Sequence, residues 1–141
     1  MRYNPAVFFD KGVIVILCVT SNPALDRTLV IPGFTPGRIF RPDSLIVAPG
    51  GKGVNVARAL RVVGGEGVCA GFLAGHNGRL LAELAEREGL PGVWTWVEGG
   101  ETRICTIIAA PDMDATVINE FGPRVRPSLV PSPTLRSNTS P

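Results

Sequence analysis

Runs of β-branched and other apolar residues alternate along the chain with short segments rich in glycine and proline. A continuous apolar run is typical of a strand buried on both faces, whereas a half-exposed strand alternates apolar and polar residues. The runs predict buried strands at Val13–Thr20, Val68–Leu73 and Thr102–Ala109. We expect these three strands to lie in a parallel sheet that is covered on both faces in the complete fold. In this chain we expect one edge of the sheet to be open and part of a face to be exposed.

Four further segments predict shorter or more loosely patterned strands. Arg27–Ile31 and Arg38–Val47 flank a segment rich in proline and glycine, which indicates a hairpin-like pair. Val93–Val97 and Ala115–Asn119 are short β-branched runs next to turn residues. Together with the buried strands and two helical segments, they predict an α/β fold.

Two segments show helical periodicity, Gly53–Val63 and Arg79–Glu88. Glycines follow both segments and are expected to end the helices. The predicted inward faces are Val56, Leu60 and Val63 in the first helix, and Leu80, Leu81, Leu84 and Ala85 in the second. The segment Gly75–Gly78 is predicted to be a turn that carries a solvent-exposed His76.

A glycine-rich loop directly precedes the first helix and is the strongest candidate for ligand binding. Gly50, Gly51 and Gly53 allow close backbone approach, and the free N–H groups at a helix start can hold polar or anionic atoms. Lys52 adds a positive charge and Asn55 an amide. The loop lacks the Ser or Thr that follows the lysine of a Walker loop, and it lacks the third glycine of a dinucleotide fingerprint.

Composition narrows the functional classes. The chain has 141 residues and a net charge of +2, with no basic run that would indicate nucleic-acid binding. No apolar run reaches the length of a membrane span, about 18 residues. Cys18, Cys69 and Cys105 lie in apolar runs without metal-like spacing. We therefore expect buried free thiols and a cytoplasmic location.

Asp26 is predicted to lie in the turn after the first strand. Ligands of open α/β sheets collect at the carboxyl ends of strands, where a carboxylate can accept hydrogen bonds from two sugar hydroxyls. An aspartate in a turn can also cap the turn itself. Position alone leaves both roles open.

Four ordered motifs together resemble the pfkB family of carbohydrate kinases, which has the ribokinase-like fold. They are Thr-Ser-Asn-Pro-Ala-Leu-Asp at 20–26, the loop and helix at 50–60, Gly-Phe-Leu-Ala-Gly-His-Asn-Gly at 71–78, and Glu-Thr-Arg at 101–103. The resemblance extends from about Val13 to Pro123. Within the family it is similar to the phosphosugar kinases, 1-phosphofructokinase and tagatose-6-phosphate kinase.

The resemblance implies the N-terminal portion of a Rossmann-type sheet with a small β lid at about residues 27–48. Lids of this kind often form a homodimer interface. The substrate-binding residues that it implies are Asp26, Arg38, Gly50, Gly51, Lys52, Asn55 and Arg103. The resemblance implies that Asp26 holds sugar hydroxyls and that Arg38 and Arg103 reach the substrate's phosphate. The alternatives are a solvated lid charge for Arg38 and a cross-strand ion pair for Arg103.

The resemblance stops on both sides of this region. Residues 1–12 are interpreted as an extension, and residues 124–141, rich in proline, serine and threonine, as a disordered or non-homologous tail.

Family members are much longer than this chain, and their C-terminal half carries the catalytic aspartate in a Gly-Ala-Gly-Asp motif and most of the ATP pocket. No such motif occurs here. ATP and Mg²⁺ are expected for the full-length protein, with no catalytic or metal-binding residue in this chain. We interpret the chain as a truncated phosphosugar kinase that is inactive alone. The alternatives are a non-catalytic sugar-binding or lid-mediated interaction module, and an oxidoreductase half-domain that the missing third glycine disfavours.

Overall fold

The computed structural model describes residues 14–126. It has two helices and seven strands within that range. In chain order they are β1 (Val15–Thr20), β2 (Ala24–Val30), β3 (Ser44–Gly50), α1 (Lys52–Val62), β4 (Glu66–Leu73), α2 (Gly75–Arg87), β5 (Gly92–Trp96), β6 (Arg103–Ala110) and β7 (Met113–Asn119). The predicted α/β architecture is confirmed, and every predicted strand and helix has a counterpart.

The first sheet is parallel and has the order β1-β4-β5. Cys18 and Cys69 are directly paired in it, and both face α1. Its core also contains Val54 and Ala57 from α1, together with Ala85 and Leu90. The other face of this sheet stays open among the described residues, since Leu17, Val19 and Val93 are 61%, 62% and 53% exposed. We call these three residues the open face; they agree with the expectation that part of a face is exposed in this chain.

The second sheet is mixed and has the order β3-β2-β6-β7. Strand β2 pairs antiparallel with β3 and parallel with β6. The prediction that Thr102–Ala109 shares a parallel sheet with the first two buried strands is therefore wrong. An apolar run reports burial but does not identify the neighbouring strand, and here Ile104 packs against the cluster of Leu25, Leu73 and Leu81.

Helix α1 packs through its smallest residues. Gly53, Val54 and Ala57 are buried, whereas Val56 and Val63 are 50% and 79% exposed, so the predicted inward face is wrong for these two valines. A β-carbon on Gly53 would lie 2.8 Å from the backbone oxygen of Val19. The helix turns its small residues toward the sheet because only they permit this close approach.

Helix α2 begins earlier than the sequence predicts, since Gly75–Gly78 forms its first turn rather than a separate turn. Leu81 and Ala85 are buried as predicted, but Leu80 is 40% exposed. His76 is exposed, as expected. The early start has a cause outside the helix, because a distant carboxylate caps it, as described below.

The third strand is shorter than predicted. The predicted strand Arg38–Val47 becomes regular only at Ser44, and residues 31–43 connect it to β2. Pro42 has no N–H to donate to a ladder, which explains why pairing begins after it. The rings of Phe34 and Phe40 pack against each other in this connection, with centroids 5.5 Å apart.

The three cysteines are buried free thiols, as predicted. No helix within residues 14–126 is long and apolar enough to cross a membrane. The predicted extension at 1–12 lies outside the described residues, as does most of the predicted tail. Only residues 124–126 of that tail are described, and they have no regular structure.

Candidate functional site

Three of the predicted site residues meet at one end of the second sheet. Ala24 of β2 is paired with Gly50 of β3 on one side and with Arg103 of β6 on the other. Because side chains alternate between the faces of a strand, Asp26, two residues further along, lies on the same face as Arg103. The register thus places a carboxylate, a guanidinium and the glycine loop side by side.

Asp26 lies inside β2 and not in a turn, so the prediction of its location and the turn-capping alternative are both wrong. It is paired across the sheet with Ala48 and Cys105. The carboxyl group occupies the space that a β-carbon on residue 50 would need, so Gly50 admits it. Burial raises the pKa of Asp26, and the nearby Arg103, the Cys105 thiol and Arg58 oppose that rise.

The loop leads directly into α1. Gly51 is the N-cap residue with φ 115°, a conformation that favours glycine, and Lys52 is the exposed first residue of the helix. No side chain among the described residues caps the helix. The buried hydroxyl of Thr20, which lies beside Gly51 and Gly53, has no hydrogen-bond partner within residues 14–126.

Arg58 was not predicted from the sequence, yet it links the loop to both helices. Its Nη2 donates to the carbonyl of Pro49 (2.7 Å), its Nη1 to Oδ1 of Asn55 (2.6 Å), and its Nε to Oε2 of Glu88 (2.8 Å). Its spacing of three residues from Asn55 on a helix is a signal that could have identified the pair.

Arg103 lies at the same end of the second sheet as Asp26. Its hydrogen bonds are accepted by polar, uncharged groups. Its Nε donates to the carbonyl of Asn22 (3.3 Å), and its Nη1 donates to Oδ1 of Asn119. The cross-strand partner is therefore an amide, and within residues 14–126 Arg103 forms no ion pair. Its positive charge is left uncompensated by direct contact and acts on Asp26.

The two residues before Arg103 fasten the start of β6 to α2. Glu101 accepts hydrogen bonds from the backbone N–H groups of His76 (3.0 Å) and Asn77 (2.9 Å). These hydrogen bonds, from Asn77 first and then His76, lower the pKa of Glu101. The buried Thr102 hydroxyl accepts from the N–H of Ala74 (2.9 Å). Sequence reasoning gave neither residue this role, because their partners lie 24 to 28 positions away.

Arg38 is not brought to this cluster. It is exposed in the connection between β2 and β3, which leaves the sheet at the end opposite Gly50. The connection begins after Val30, which is about 13 Å from Asp26 at the usual rise per residue. A phosphate contact by Arg38 thus stays a prediction.

The cluster can bind a polar anion that carries hydroxyl groups. Asp26 offers acceptors, while the loop N–H groups, Asn55 and Arg103 offer donors. A guanidinium is suited to two oxygens of one phosphate.

Comparison with known proteins bears on the family. Residues 19–130 match the model of the pfkB family carbohydrate kinases. The 1-phosphofructokinase of Haloferax volcanii is 32% identical over 113 residues, which cover 79% of this chain and 36% of the relative. The tagatose-6-phosphate kinase of Staphylococcus epidermidis is 32% identical over 111 residues, covering 79% of this chain and 35% of the relative.

Solved structures agree with these relatives. A possible 1-phosphofructokinase from Thermotoga maritima superposes with a TM-score of 0.76 at 35% identity, covering 82% of this chain and 38% of that one. Phosphofructokinase-2 from Escherichia coli, in complex with fructose-6-phosphate, gives 0.75 at 24% identity, covering 82% of this chain and 38% of that one, and supports the fold alone. The predicted ribokinase-like fold is confirmed, and this chain spans just over a third of its relatives' length. The chain belongs to the pfkB family of carbohydrate kinases.

Proposed function

We propose that this chain supplies the substrate-binding part of a phosphosugar kinase. The complete protein would transfer the γ-phosphate of ATP to a hydroxyl of fructose 1-phosphate or tagatose 6-phosphate, in the cytoplasm. The observation that carries the proposal is the convergence of Asp26 and Arg103 beside the glycine loop. The names of the relatives, 1-phosphofructokinase and tagatose-6-phosphate kinase, support this class of substrate.

Each group has a role that follows from its chemistry. Asp26 accepts hydrogen bonds from sugar hydroxyls, and its partial burial favours a neutral hydroxyl partner over water. Gly50 leaves room for the Asp26 carboxyl group, while Gly51 and Lys52 present backbone donors and one charge at the start of α1. Arg103 binds the phosphate that the substrate already carries, since its guanidinium has no direct ionic partner among residues 14–126.

ATP and Mg²⁺ belong to the complete protein in this proposal. Phosphoryl transfer needs a residue that orients the nucleophile and groups that neutralise the phosphate charge. No group of three or more His, Cys, Asp or Glu side chains within residues 14–126 is placed to hold a metal ion. The part of the chain that the structure describes does not fit a magnesium site, and no step of the proposal is assigned to one.

A homodimer through the second sheet is the proposed assembly. The face that bears Asp26 also carries Ile46 and Val117, which are 58% and 51% exposed. Such an apolar surface on a sheet favours association. In this assembly Arg38 would meet the phosphate across the interface.

The proposal is tested by comparing binding with turnover. In a coupled assay of ADP release, we expect no phosphorylation of fructose 1-phosphate or fructose 6-phosphate by the isolated chain, because the proposal assigns the catalytic base to the rest of the complete protein. Calorimetry should still detect binding of a sugar phosphate. Turnover within the range typical of kinases, about 1–100 s⁻¹, would contradict this division of roles. Absence of binding would contradict the assigned site.

A further inference from the structure

Arg58 connects three elements of the structure through a single guanidinium. One guanidinium contacts the end of β3 through Pro49, the first turns of α1 through Asn55, and the C-terminal end of α2 through Glu88. Its side chain is 36% exposed and that of Glu88 is 35% exposed. Ion pairs with this much exposure contribute little to stability. The arrangement is therefore better explained by orientation than by stability.

The contact with Asn55 fixes which way the amide faces. A guanidinium has five N–H donors and no acceptor, so the amide atom that faces it must be the oxygen. The Nδ2 group of Asn55 then points away from Arg58 with both of its hydrogens. Within the part of the chain that the structure describes, Nδ2 has no hydrogen-bond partner, so it is available to a ligand as a donor.

The contact with Pro49 acts on the loop. Pro49 is fully buried and directly precedes Gly50. Because Gly50 has no β-carbon, the carboxyl group of Asp26 fits beside it. A hydrogen bond from a charged donor to this carbonyl fixes the orientation of the peptide group between Pro49 and Gly50. The N–H of Gly50 faces β2, where Gly50 is paired with Ala24, so Arg58 holds this peptide group from the opposite side of β3.

We propose that Arg58 is a positioning residue that turns the Asn55 amide toward the sugar phosphate and anchors the Pro49–Gly50 peptide group beside it. This proposal rests on the proposed function for the identity of the ligand. The orientation of Asn55 does not depend on that identity, so it can be tested separately.

The first test is spectroscopic and uses no ligand. In isotope-labelled chain, we expect Arg58→Lys to shift the side-chain amide resonances of Asn55 and the backbone amide resonance of Gly50. A lysine cannot donate to three acceptors in a planar fork. The control is Arg87→Lys, which makes the same change in an exposed arginine–glutamate pair on α2 and should leave both sets of resonances in place. Unchanged Asn55 and Gly50 resonances in Arg58→Lys would overturn the proposal.

The second test measures binding of fructose 1-phosphate by calorimetry. We expect Arg58→Lys to weaken binding on the order of tenfold, the effect of losing one good hydrogen bond. Thermal unfolding should change little, because the ion pair is exposed. In an Asn55→Ala background the loss caused by Arg58→Lys should shrink, since one of the groups that Arg58 orients is gone.

The outcomes separate the two proposals. If the wild-type chain binds no sugar phosphate but the Asn55 resonances move in Arg58→Lys, the proposed function fails and the positioning role stands. If the two substitutions multiply their losses in full, or if Arg58→Lys weakens binding only as much as it lowers the unfolding temperature, Arg58 is merely structural.

Discussion

At the residue scale, the partial burial of Asp26 bears on stability. Burial raises its pKa, so the folded chain holds the proton more tightly than the unfolded chain. The free energy of unfolding should therefore fall as the pH rises from the ordinary pKa of an aspartate through the raised value. At neutral pH the buried charge is a cost that an uncharged amide would avoid.

The substitution Asp26→Asn should accordingly raise the unfolding temperature at neutral pH and weaken the binding of sugars and sugar phosphates alike. The gain in stability should disappear at acidic pH, where the wild-type carboxyl group is protonated. Thermal unfolding across a pH series and calorimetry with both ligands measure these effects. An unfolding temperature at neutral pH that falls in Asp26→Asn would show that Arg103 and Cys105 outweigh burial.

The sequence identified three candidate residues that the sheet register brings together, but not the residues that support them. Asp26, Gly50 and Arg103 were identified because each belongs to a recognisable motif. Arg58 and Glu101 were missed because their partners are set by packing between elements that are distant in sequence. Arg38 was identified from the family resemblance, but the connection in which it lies joins β2 and β3 at the end of the sheet away from the cluster.

At the scale of elements, the junction between β6 and α2 holds Arg103 in place. Glu101 caps α2 by accepting from N–H groups that lie 25 and 24 positions earlier in the sequence. In a local capping motif the side chain and the N–H groups lie within a few residues of each other. The carboxylate lies where the helix dipole favours a negative charge. No pattern in the sequence predicts such a cap, which is why Gly75–Gly78 was predicted as a turn.

This cap makes the stability of the chain depend on pH in a definite direction. Because the pKa of Glu101 is lowered by folding, its contribution is present at neutral pH and is lost as the pH falls through the lowered value. Glu101→Gln should lower the unfolding temperature at neutral pH, and the difference from wild type should vanish at acidic pH. The exposed Glu98 offers the matched control Glu98→Gln. A difference that persists at acidic pH would mean that the charge is not what stabilises α2.

The sequence predicted the position of each strand and helix along the chain better than it predicted the contacts between them. Helix α1 was predicted within one residue at each end, but its buried side is the small-residue face that lets it approach Val19. Strand β6 was predicted as buried, but its partner is β2. Periodicity reports local burial, whereas sheet membership depends on contacts between residues far apart in the chain.

At the scale of the whole molecule, the open face distinguishes this chain from a self-contained domain. Parallel sheets are covered on both faces in α/β proteins. Here Leu17 and Val19 are more than 60% exposed on β1, which is also an edge strand. An exposed apolar edge is a template for association between chains.

We therefore expect the purified chain to form oligomers or aggregates in light scattering. Replacing Leu17 and Val19 together by lysine should reduce association, because charge on an edge strand opposes pairing. Val63→Lys is the matched control, since Val63 is 79% exposed at the end of α1. A wild-type monomer with one sharp thermal transition would contradict this expectation and show that the chain is self-sufficient.

The binding site itself is tested by titrating fructose 1-phosphate and fructose into the wild-type chain and into Arg103→Ala by calorimetry. Losing a charge-assisted hydrogen bond costs about 1.5–3 kcal/mol, so Arg103→Ala should weaken binding of the phosphorylated sugar by roughly one to two orders of magnitude. Its effect on fructose should be small, because fructose has no phosphate to lose. Equal losses on the two ligands would show that Arg103 only supports the fold, and the assignment of a phosphosugar site would be wrong.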